Sequence, residues 1–238
     1  MRQVPSYLLI GSGRVAKHFQ GYLKGLSIPF QVWSRQQNSL QELILFSKNG
    51  SPILLLISDS AIAEFIERHS FLKGKRLVHF SGCLSVAGTS SAHPLMTFAP
   101  EPYDLETYQK IPFVISELGP DFSQLLPGLP NTAYRISEQL RTYYHALCVL
   151  SGNFTTLLWQ KCFMELEARF QIPREAAYPY LKQMMQNLLK SSPLALTGPL
   201  ARGDQATIAA NLQALENDAF QQVYQAFVEA YKTITVRS

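Results

Sequence analysis

Short apolar runs alternate with amphipathic stretches in the first part of the chain. Residues 7–10 and 30–33 are mostly apolar runs of the length that buried parallel strands have. Between them, apolar residues recur at helical spacing from Val15 to Leu26. The pattern therefore predicts a strand, a glycine-containing turn, a helix and a second strand.

The same alternation continues as far as residue 116. It predicts further strands at residues 53–57, 77–80 and 112–116, and short helices at residues 40–46 and 61–69. Strands that alternate with helices in this way are typical of a doubly wound parallel sheet.

A helical pattern replaces this alternation near residue 137. Ser137 can cap a helix that runs from residue 138 to about residue 171, with apolar side chains three or four positions apart. Pro173 fits the first turn of a further helix, and Pro179 would kink or restart that helix.

Two more helical stretches, at residues 205–216 and 218–233, complete the helical pattern. We therefore expect an α/β, Rossmann-like N-terminal domain over residues 1–136, followed by an all-α C-terminal domain over residues 137–238.

The chain carries few charges for its size. Charged residues make up 16% and hydrophobic residues 47% of the 238 residues, whereas a typical soluble domain has about 25% charged residues. So few charges indicate that apolar surface meets another chain in an oligomer. The net charge of +4 is too small and too scattered for a nucleic-acid-binding surface.

Cysteine usage and hydropathy bear on the compartment. Cys83, Cys148 and Cys162 lie far apart and form no CxxC pair, so we expect neither a disulfide framework nor a metal site. No apolar run approaches the ~20 residues of a membrane helix, and the polar Arg2 and Gln3 lead into no signal-peptide core. These features predict a cytoplasmic protein with reduced thiols and no membrane partner.

The turn after the first strand carries the most informative motif, which reads Gly11-Ser12-Gly13-Arg14-Val15-Ala16. The first glycine permits a tight turn, and the second lets the backbone approach a pyrophosphate at the start of the following helix. An ordinary glycine turn is the alternative, but the predicted strand and helix on either side supply the required context. The expected cofactor-binding residues here are Gly11, Ser12, Gly13, Arg14 and Val15.

Ser34 and Arg35 follow the second predicted strand. An NAD enzyme usually has an acidic residue here for the ribose hydroxyls, whereas a hydroxyl and a guanidinium suit a 2′-phosphate. The cofactor interpretation is therefore NADP(H) rather than NAD(H). A solvated loop arginine is the alternative for Arg35.

Polar residues also follow two later strands. Ser58 and Asp59 come after the strand at residues 53–57, and Ser81 comes after the strand at residues 77–80. Because ligands lie beyond the carboxyl ends of such strands, we expect these three residues to line the cofactor cleft. Asp59 is equally suited to cap the next helix.

Three polar residues are candidates for the chemical step. His145 and Asn153 lie on one ridge of the long predicted helix, where His145 could donate a proton and Asn153 could hold the substrate. His93 is a second proton-donor candidate. A buried core histidine is the alternative for His145, and a structural loop histidine is the alternative for His93.

The segment from Leu196 to Asp204 places turn-forming residues beside an arginine and an aspartate. Asp204 can cap the following helix. Arg202 or Thr197 could face an anionic substrate, or Arg202 and Asp204 could pair and only fix the loop.

These segments together resemble a bacterial family that joins a Rossmann-like domain to a C-terminal helical domain of unknown function. The resemblance covers nearly the whole chain and is carried by the glycine turn, Ser34-Arg35, Ser58 to Ile62, His79 to Gly82, His93-Pro94-Leu95, Tyr144-His145-Ala146 with Asn153, and above all Leu196 to Asp204. Its members are provisionally described as NADP-dependent oxidoreductases and are similar to pyrroline-5-carboxylate reductase and the 6-phosphogluconate dehydrogenase group.

The resemblance implies a homodimer formed through the helical domain, but it supplies no substrate. Related hydroxyacid dehydrogenases place a catalytic lysine four residues before an asparagine, where this chain has Val149 before Asn153. Their proton-transfer machinery therefore does not carry over. The chain is also short around residues 120–131, where a crossover helix is expected.

Two functions are consistent with these features. The first is an NADP(H)-dependent oxidoreductase that transfers hydride to or from a small polar, anionic carbonyl, imine or alcohol. The alternative is a non-catalytic NADP(H)-binding sensor or scaffold protein, which the absence of lysine at position 149 favours.

Overall fold

Seven strands form one sheet in the computed structural model, which describes residues 6–235. The strands are β1 (Tyr7–Ile10), β2 (Phe30–Trp33), β3 (Ile53–Leu55), β4 (Leu77–His79), β5 (Ser90–Pro94), β6 (Phe113–Ser116) and β7 (Ala133–Ile136). They lie in the order β2-β1-β3-β4-β5-β6-β7. The polar Arg2 and Gln3, on which the signal-peptide expectation depends, lie outside the described residues.

The order of the strands reverses at β1. This strand pairs in parallel with β2 on one side, where Leu9 lies opposite Val32, and with β3 on the other, where Leu9 lies opposite Leu54. The backbone N–H of Gly11 extends the ladder by donating to the carbonyl of Trp33 at 2.9 Å. A crevice opens beyond the carboxyl ends of strands at such a reversal.

The far side of the sheet differs from the predicted parallel arrangement. The strand predicted at residues 112–116 is present as β6, but it runs antiparallel to β5, with His93 opposite Val114. β5 and β7 were not predicted. β5 reads Ser-Ser-Ala-His-Pro and so lacks an apolar run, while β7 is exposed at its central residues Tyr134 and Arg135.

The described residues contain twelve α-helices, which are α1 (Arg14–Gly25), α2 (Leu40–Phe46), α3 (Asp59–Arg68), α4 (Leu105–Lys110), α5 (Phe122–Leu125), α6 (Arg141–Cys148), α7 (Thr155–Ala168), α8 (Tyr178–Lys190), α9 (Ser192–Ala195), α10 (Pro199–Arg202), α11 (Gln205–Ala214) and α12 (Phe220–Thr235). Short 3₁₀ turns cover Ser47–Asn49, Ser70–Leu72, Glu138–Leu140 and Arg174–Ala177.

The long helix predicted from residue 138 is interrupted. A 3₁₀ turn precedes α6, and Val149–Phe154 is π-helical before α7 begins. The Ser151 hydroxyl donates to the carbonyl of Leu147 at 2.8 Å, and Gly152 has low helix propensity, so both disfavour regular α-helix here. Ser137 occupies the capping position, but its side chain makes no capping hydrogen bond.

The sheet is covered on both faces. Tyr7 and Leu9 of β1 pack with α1 in one core, whereas Leu8 and Ile10 pack with α2 and α3 in the other. This division follows from the period of two along a strand. All four residues are at most 2% exposed, which explains why β1 is a continuous apolar run.

The chain divides into two compact units, the first ending at Leu158 and the second beginning at Trp159. In the second unit, the Lys161 ammonium bridges the carboxylates of Glu165 and Asp218 at 2.7 and 2.6 Å. The domain boundary between residues 136 and 137 stays a prediction. Within the described residues, no helix combines the length and the apolar character needed to cross a bilayer.

Candidate functional site

A cleft of about 330 Å³ lies at the strand-order reversal beside β1. It brings together the ends of β1, β2 and β3 and the start of α3. Six of the predicted cofactor-binding residues line it: Gly11, Ser12, Gly13, Ser34, Arg35 and Ser58. The apolar part of its lining includes Trp33, Ala61 and Phe65.

The two glycines of the turn have different structural roles. Gly11 has φ +133°, and a Cβ there would lie 2.2 Å from the Leu56 carbonyl oxygen, so no other residue fits. Gly13 is the N-cap of α1, receives no side-chain cap, and would have no atom within 4 Å of an added Cβ. The first amides of α1 therefore face open space, as binding of an anionic group requires.

Arg14 and Val15 begin α1 without lining the cleft. The exposed Arg14 guanidinium donates to the carbonyl of Phe98 at 3.3 Å, towards the loop after β5. The Val15 side chain packs against the core, so any contribution of Val15 to anion binding comes from its backbone.

Ser34 and Arg35 form a polar corner of the cleft. Ser34 is 4% exposed, and its hydroxyl is buried without a hydrogen-bond partner among the described residues. Its backbone is fixed, because its N–H donates to the Asn38 side chain at 3.1 Å. A buried hydroxyl with unused hydrogen-bonding capacity beside an exposed guanidinium fits a phosphate group.

Asp59 connects two strand ends instead of capping α3. The N-cap of α3 is Ser58, and Asp59 is the first helical residue. The Asp59 carboxylate accepts a hydrogen bond of 2.5 Å from the Ser81 hydroxyl, which in turn accepts from the Leu84 N–H at 3.1 Å. The capping interpretation of Asp59 was therefore wrong, and neither Asp59 nor Ser81 lines the cleft.

A second group of polar residues, the histidine cluster, consists of Gly82, His93, Tyr144 and His145. The Nδ1 atom of His93 shares a hydrogen bond of 2.8 Å with the Tyr144 hydroxyl. The rings of His93 and His145 meet edge to face, with centroids 5.7 Å apart. The cluster joins the turn after β4, the strand β5 and the helix α6.

Gly82 is buried directly beneath both imidazoles. A Cβ at this position would lie 2.3 Å from Cδ2 of His145 and 3.0 Å from Nε2 of His93. Glycine is required at position 82 by the lack of space for a side chain and not by backbone conformation, because the φ of Gly82 lies outside the left-handed region.

Burial keeps the His93 imidazole neutral. It lowers the pKa of His93 to about 4, with further lowering by His145 and Arg141 and an opposing contribution from Asp59. Burial also raises the pKa of Tyr144 well above its usual value, assisted by its hydrogen bond to Cys148. Both partners of the His93–Tyr144 hydrogen bond are therefore uncharged near pH 7.

Asn153 is exposed on the π-helical stretch, and its side chain makes no hydrogen bond within the described part of the chain. The expected ridge between His145 and Asn153 assumed 3.6 residues per turn throughout. A π turn contains more residues, so the ridge does not continue across it. The substrate-holding role of Asn153 stays a prediction.

Asp204 is the N-cap of α11, as predicted. Its carboxylate accepts hydrogen bonds from the backbone N–H of Thr207 at 3.0 Å and from the Thr207 hydroxyl at 2.7 Å. These bonds lower the pKa of Asp204. Arg202 and Thr197 are exposed, and their orientation towards a substrate stays a prediction.

Two residues that sequence reasoning missed lie next to the predicted ones. Tyr144 was recognised only as a neighbour of His145, although its hydroxyl holds His93. Arg141 was not considered, although its side chain is 1% exposed. Arg141 lies three residues before Tyr144 and seven before Cys148, which places the three side chains on one helix face. This spacing was the available signal for Arg141.

His79, at the end of β4, is a further buried histidine outside the histidine cluster. It is 1% exposed, and its Nδ1 atom has no hydrogen-bond partner among the described residues. Burial lowers the pKa of His79 to about 4, assisted by the charge of Arg141.

Comparison with known proteins finds one family model that matches the C-terminal part of the chain. Residues 119–231 match the model of a family described as a domain of unknown function, DUF2520. No curated protein matches the chain. The match confirms the resemblance to a family with a helical domain of unknown function.

Solved structures match over nearly the whole chain. A provisionally named NADP oxidoreductase from Bacteroides fragilis shares 24% identity over 95% of this chain and 97% of its own, with a TM-score of 0.72. Protein TM1727 from Thermotoga maritima shares 22% identity over 98% of this chain and 100% of its own, with a TM-score of 0.68. Pyrroline carboxylate reductase from Plasmodium falciparum, with NADP bound, shares 11% identity over 95% and 96%, with a TM-score of 0.57.

These similarities confirm the expected fold class. The chain has a Rossmann-like, mostly parallel sheet, and from residue 137 to residue 235 its regular elements are all helical. At identities below 25%, the similarity to solved structures shows the fold.

Replacing Gly82 with alanine should disrupt the histidine cluster. The new methyl group would overlap His145 and crowd His93, and overpacking of this kind costs about 1–3 kcal/mol in the free energy of unfolding. Chemical denaturation measures the loss, and NMR spectra of the histidine rings report the displacement. Gly152→Ala, where an added Cβ meets no atom within 4 Å, is the control; equal ring spectra for the Gly82 variant and the parent would contradict the assigned packing.

Stability should fall as the pH drops from about 6.5 to about 4. His79 and His93 have pKa values of about 4 in the folded state, against about 6.5 for an ordinary histidine, so the unfolded chain binds more protons in this interval. Their stabilisation is complete above pH 6.5 and is lost as the pH falls towards 4, by on the order of 2–3 kcal/mol for each histidine.

His79→Gln should remove about half of this pH dependence, which urea denaturation at pH 7 and pH 5 measures. His69→Gln, at a histidine bonded to the Phe65 carbonyl, is the control. An undiminished pH dependence in the His79 variant would show that this histidine is not buried in its neutral form.

Proposed function

We propose that the protein is an NADP(H)-dependent oxidoreductase that transfers hydride to or from a small polar, anionic carbonyl, imine or alcohol. The observation that carries the proposal is the cleft at the strand-order reversal. It combines a helix N-terminus without a side-chain cap at Gly13 with the buried, unpartnered hydroxyl of Ser34 beside Arg35. One cleft thus offers separate binding groups for a pyrophosphate and for a second phosphate.

The residues of the cleft fit the two charged parts of the cofactor. The backbone amides of Gly13, Arg14 and Val15 would bind the pyrophosphate, with Gly11 and Ser12 shaping the turn. Ser34 and Arg35 would bind the 2′-phosphate.

The third strand end completes the proposed cofactor site. Ser58 would contribute a hydroxyl from the cleft lining, while Asp59 and Ser81 would fix the adjacent strand ends through their mutual hydrogen bond. When bound, the nicotinamide supplies or accepts the hydride.

The histidine cluster would transfer the proton that accompanies hydride transfer to or from the substrate. His145 and His93 are the candidate proton-transfer groups, and Tyr144 would orient the His93 ring through Nδ1. Asn153 would hold the substrate by hydrogen bonds. The shared fold with a pyrroline carboxylate reductase that has NADP bound, and with an imine reductase in complex with NADP+, supports this reaction class.

We also propose a homodimer formed through the helical domain, in the reducing environment of the cytoplasm. Many large apolar side chains of this domain are exposed, among them Leu150, Phe154, Tyr180, Leu189 and Phe227. Exposed apolar surface on several helices of one region is typical of an interaction surface. The three unpaired cysteines agree with a reducing compartment.

Cofactor preference is tested by replacing Arg35 with alanine. The variant should bind NADPH at least about tenfold more weakly, because it loses a charge-assisted contact with the 2′-phosphate, while NADH binding changes little. Fluorescence titration measures both dissociation constants. Arg68→Ala, at an exposed arginine paired with Glu64, is the control; equal losses for NADPH and NADH in the Arg35 variant would contradict the proposed phosphate contact.

Catalysis is tested by following absorbance of NADPH in a screen of keto acids, imines and hydroxy acids. Turnover that falls by about 100-fold or more on replacing His93 or His145 with alanine would agree with a proton-transfer role. Tight NADPH binding without turnover of any compound would instead favour the non-catalytic sensor or scaffold.

Dimerisation is tested with two equally exposed leucines. Leu189 in α8 and Leu118 after β6 are each 88% exposed, but only Leu189 belongs to the helical domain. The parent should have twice the chain mass of 26.8 kDa by light scattering, and Leu189→Lys should shift it towards one chain while Leu118→Lys does not. A parent of one chain mass at all concentrations would overturn the homodimer.

A further inference from the structure

Arg141 is a fully buried cation at the start of α6. Its side chain is 1% exposed, and its guanidinium makes a two-pronged contact with Glu138, from Nε to Oε2 and from Nη2 to Oε1, each at 3.1 Å. Its Nη1 atom donates to the Ser91 hydroxyl at 2.8 Å. Each of the three guanidinium nitrogens therefore has an acceptor.

The hydrogen bonds continue from Arg141 to the turn after β4. The Ser91 hydroxyl donates to the backbone carbonyl of Ser81 at 3.1 Å. The side chain of Ser81 is held independently, because its hydroxyl donates to Asp59 at 2.5 Å. The residue that precedes Gly82 is thus fixed at both its carbonyl and its side chain.

Glu138 holds the opposite end of this chain of contacts. Its hydrogen bonds with Arg141, Ser116 and Ser85 lower the pKa of its carboxyl group. The carboxylate therefore joins the start of α6 to the end of β6 and to the loop after β4. The Glu138 carboxyl group is therefore ionised near neutral pH.

Stability alone does not account for such a pair. Burial of the Arg141 guanidinium costs desolvation energy, while its partner Glu138 stays 38% exposed, and ion pairs with an exposed member contribute little to stability. The position of Arg141 gives it another role, since Tyr144 and His145 follow it within about one turn of α6.

We propose that Arg141, acting with Ser91, is a positioning residue that holds the Ser81–Gly82 turn against His93 and His145 and so fixes the arrangement of the histidine cluster. Its relevance to catalysis rests on the proposed function, whereas the arrangement itself does not.

The charge of Arg141 acts on the same residues. It lowers the pKa of His93 together with burial and His145, while Asp59 opposes it. Arg141 also lowers the pKa of Tyr144, the hydrogen-bond partner of His93, although burial raises that pKa by more. Removal of the cation should therefore raise the pKa of His93.

Ser91→Ala tests the geometric part, because it removes the link between Arg141 and Ser81 and leaves the ion pair in place. The matched control is Ser47→Ala, another buried serine, whose hydroxyl donates to the Ile44 carbonyl at 2.9 Å away from the cluster. Histidine-labelled protein, which contains five histidines, is studied by NMR without cofactor.

The Ser91 variant should shift the ring resonances of His93 and His145 and leave those of His69 in place, whereas the Ser47 variant should shift neither member of the cluster. Unchanged His93 and His145 resonances in folded Ser91→Ala would overturn the proposal.

Arg141→Lys and Arg141→Met separate charge from geometry. Lysine keeps the cation but loses the two-pronged contact, so ring resonances should move while the pKa of His93 stays low. Methionine should shift the ring resonances as well and raise the pKa of His93. Ring resonances of His93 and His145 that match the parent in a folded Arg141→Lys, the milder variant, would count against the positioning role.

Activity distinguishes this proposal from the proposed function. If the oxidoreductase assignment holds, Ser91→Ala should lower kcat about tenfold, as a small displacement of catalytic groups does, with NADPH affinity unchanged. Failure of the parent to bind NADPH would remove the proposed function and leave the NMR result standing. An active parent whose kcat and histidine spectra are both insensitive to Ser91→Ala would remove the positioning role alone.

Discussion

Burial of β1 on both faces and along both edges is the constraint on which the rest of the molecule depends. Its four side chains divide between two cores, and its backbone pairs with β2 on one side and β3 on the other. A strand enclosed in this way must be apolar throughout, so polar groups that could bind a ligand lie beyond its carboxyl end. At this end Gly11 lies so close to Leu56 that an added Cβ would be 2.2 Å from the Leu56 carbonyl oxygen. The cleft opens at the same place.

The site consists of two chemically different parts joined by one short contact. The cleft offers amides, a hydroxyl and a guanidinium to an anion, while the histidine cluster offers the neutral His93 imidazole, which is hydrogen-bonded to Tyr144, and the ring of His145 beside it. Asp59 follows Ser58 of the cleft lining, and Ser81 precedes Gly82 of the histidine cluster, so their hydrogen bond links the two parts.

The sequence was sufficient where one local pattern decides the structure. The run at residues 7–10 and the glycine turn were predicted because burial and turn geometry leave few alternatives to those residues. β5 was missed because its burial comes from neighbouring strands and not from apolar residues of its own, and this error made His93 a loop residue. The roles of Gly82 and Arg141 were not predicted, because the contacts of Gly82 with His93 and His145 and of Arg141 with Ser91 join elements far apart in the chain.

The protonation state of His93 determines which proton transfers it could carry out in the proposed reaction. With a pKa of about 4, only about one His93 in a thousand carries the second proton at pH 7. An imidazolium at this position is rare at rest, so in the proposed reaction His93 would act first as a proton acceptor, with its ring oriented by the bond between Nδ1 and the Tyr144 hydroxyl. That arrangement suits a substrate that arrives already protonated, such as an iminium ion, or an alcohol that loses a proton on oxidation. A neutral carbonyl would need its proton from elsewhere, and His145, whose ring lies edge-on to His93, is the group in the cluster that is placed to supply it.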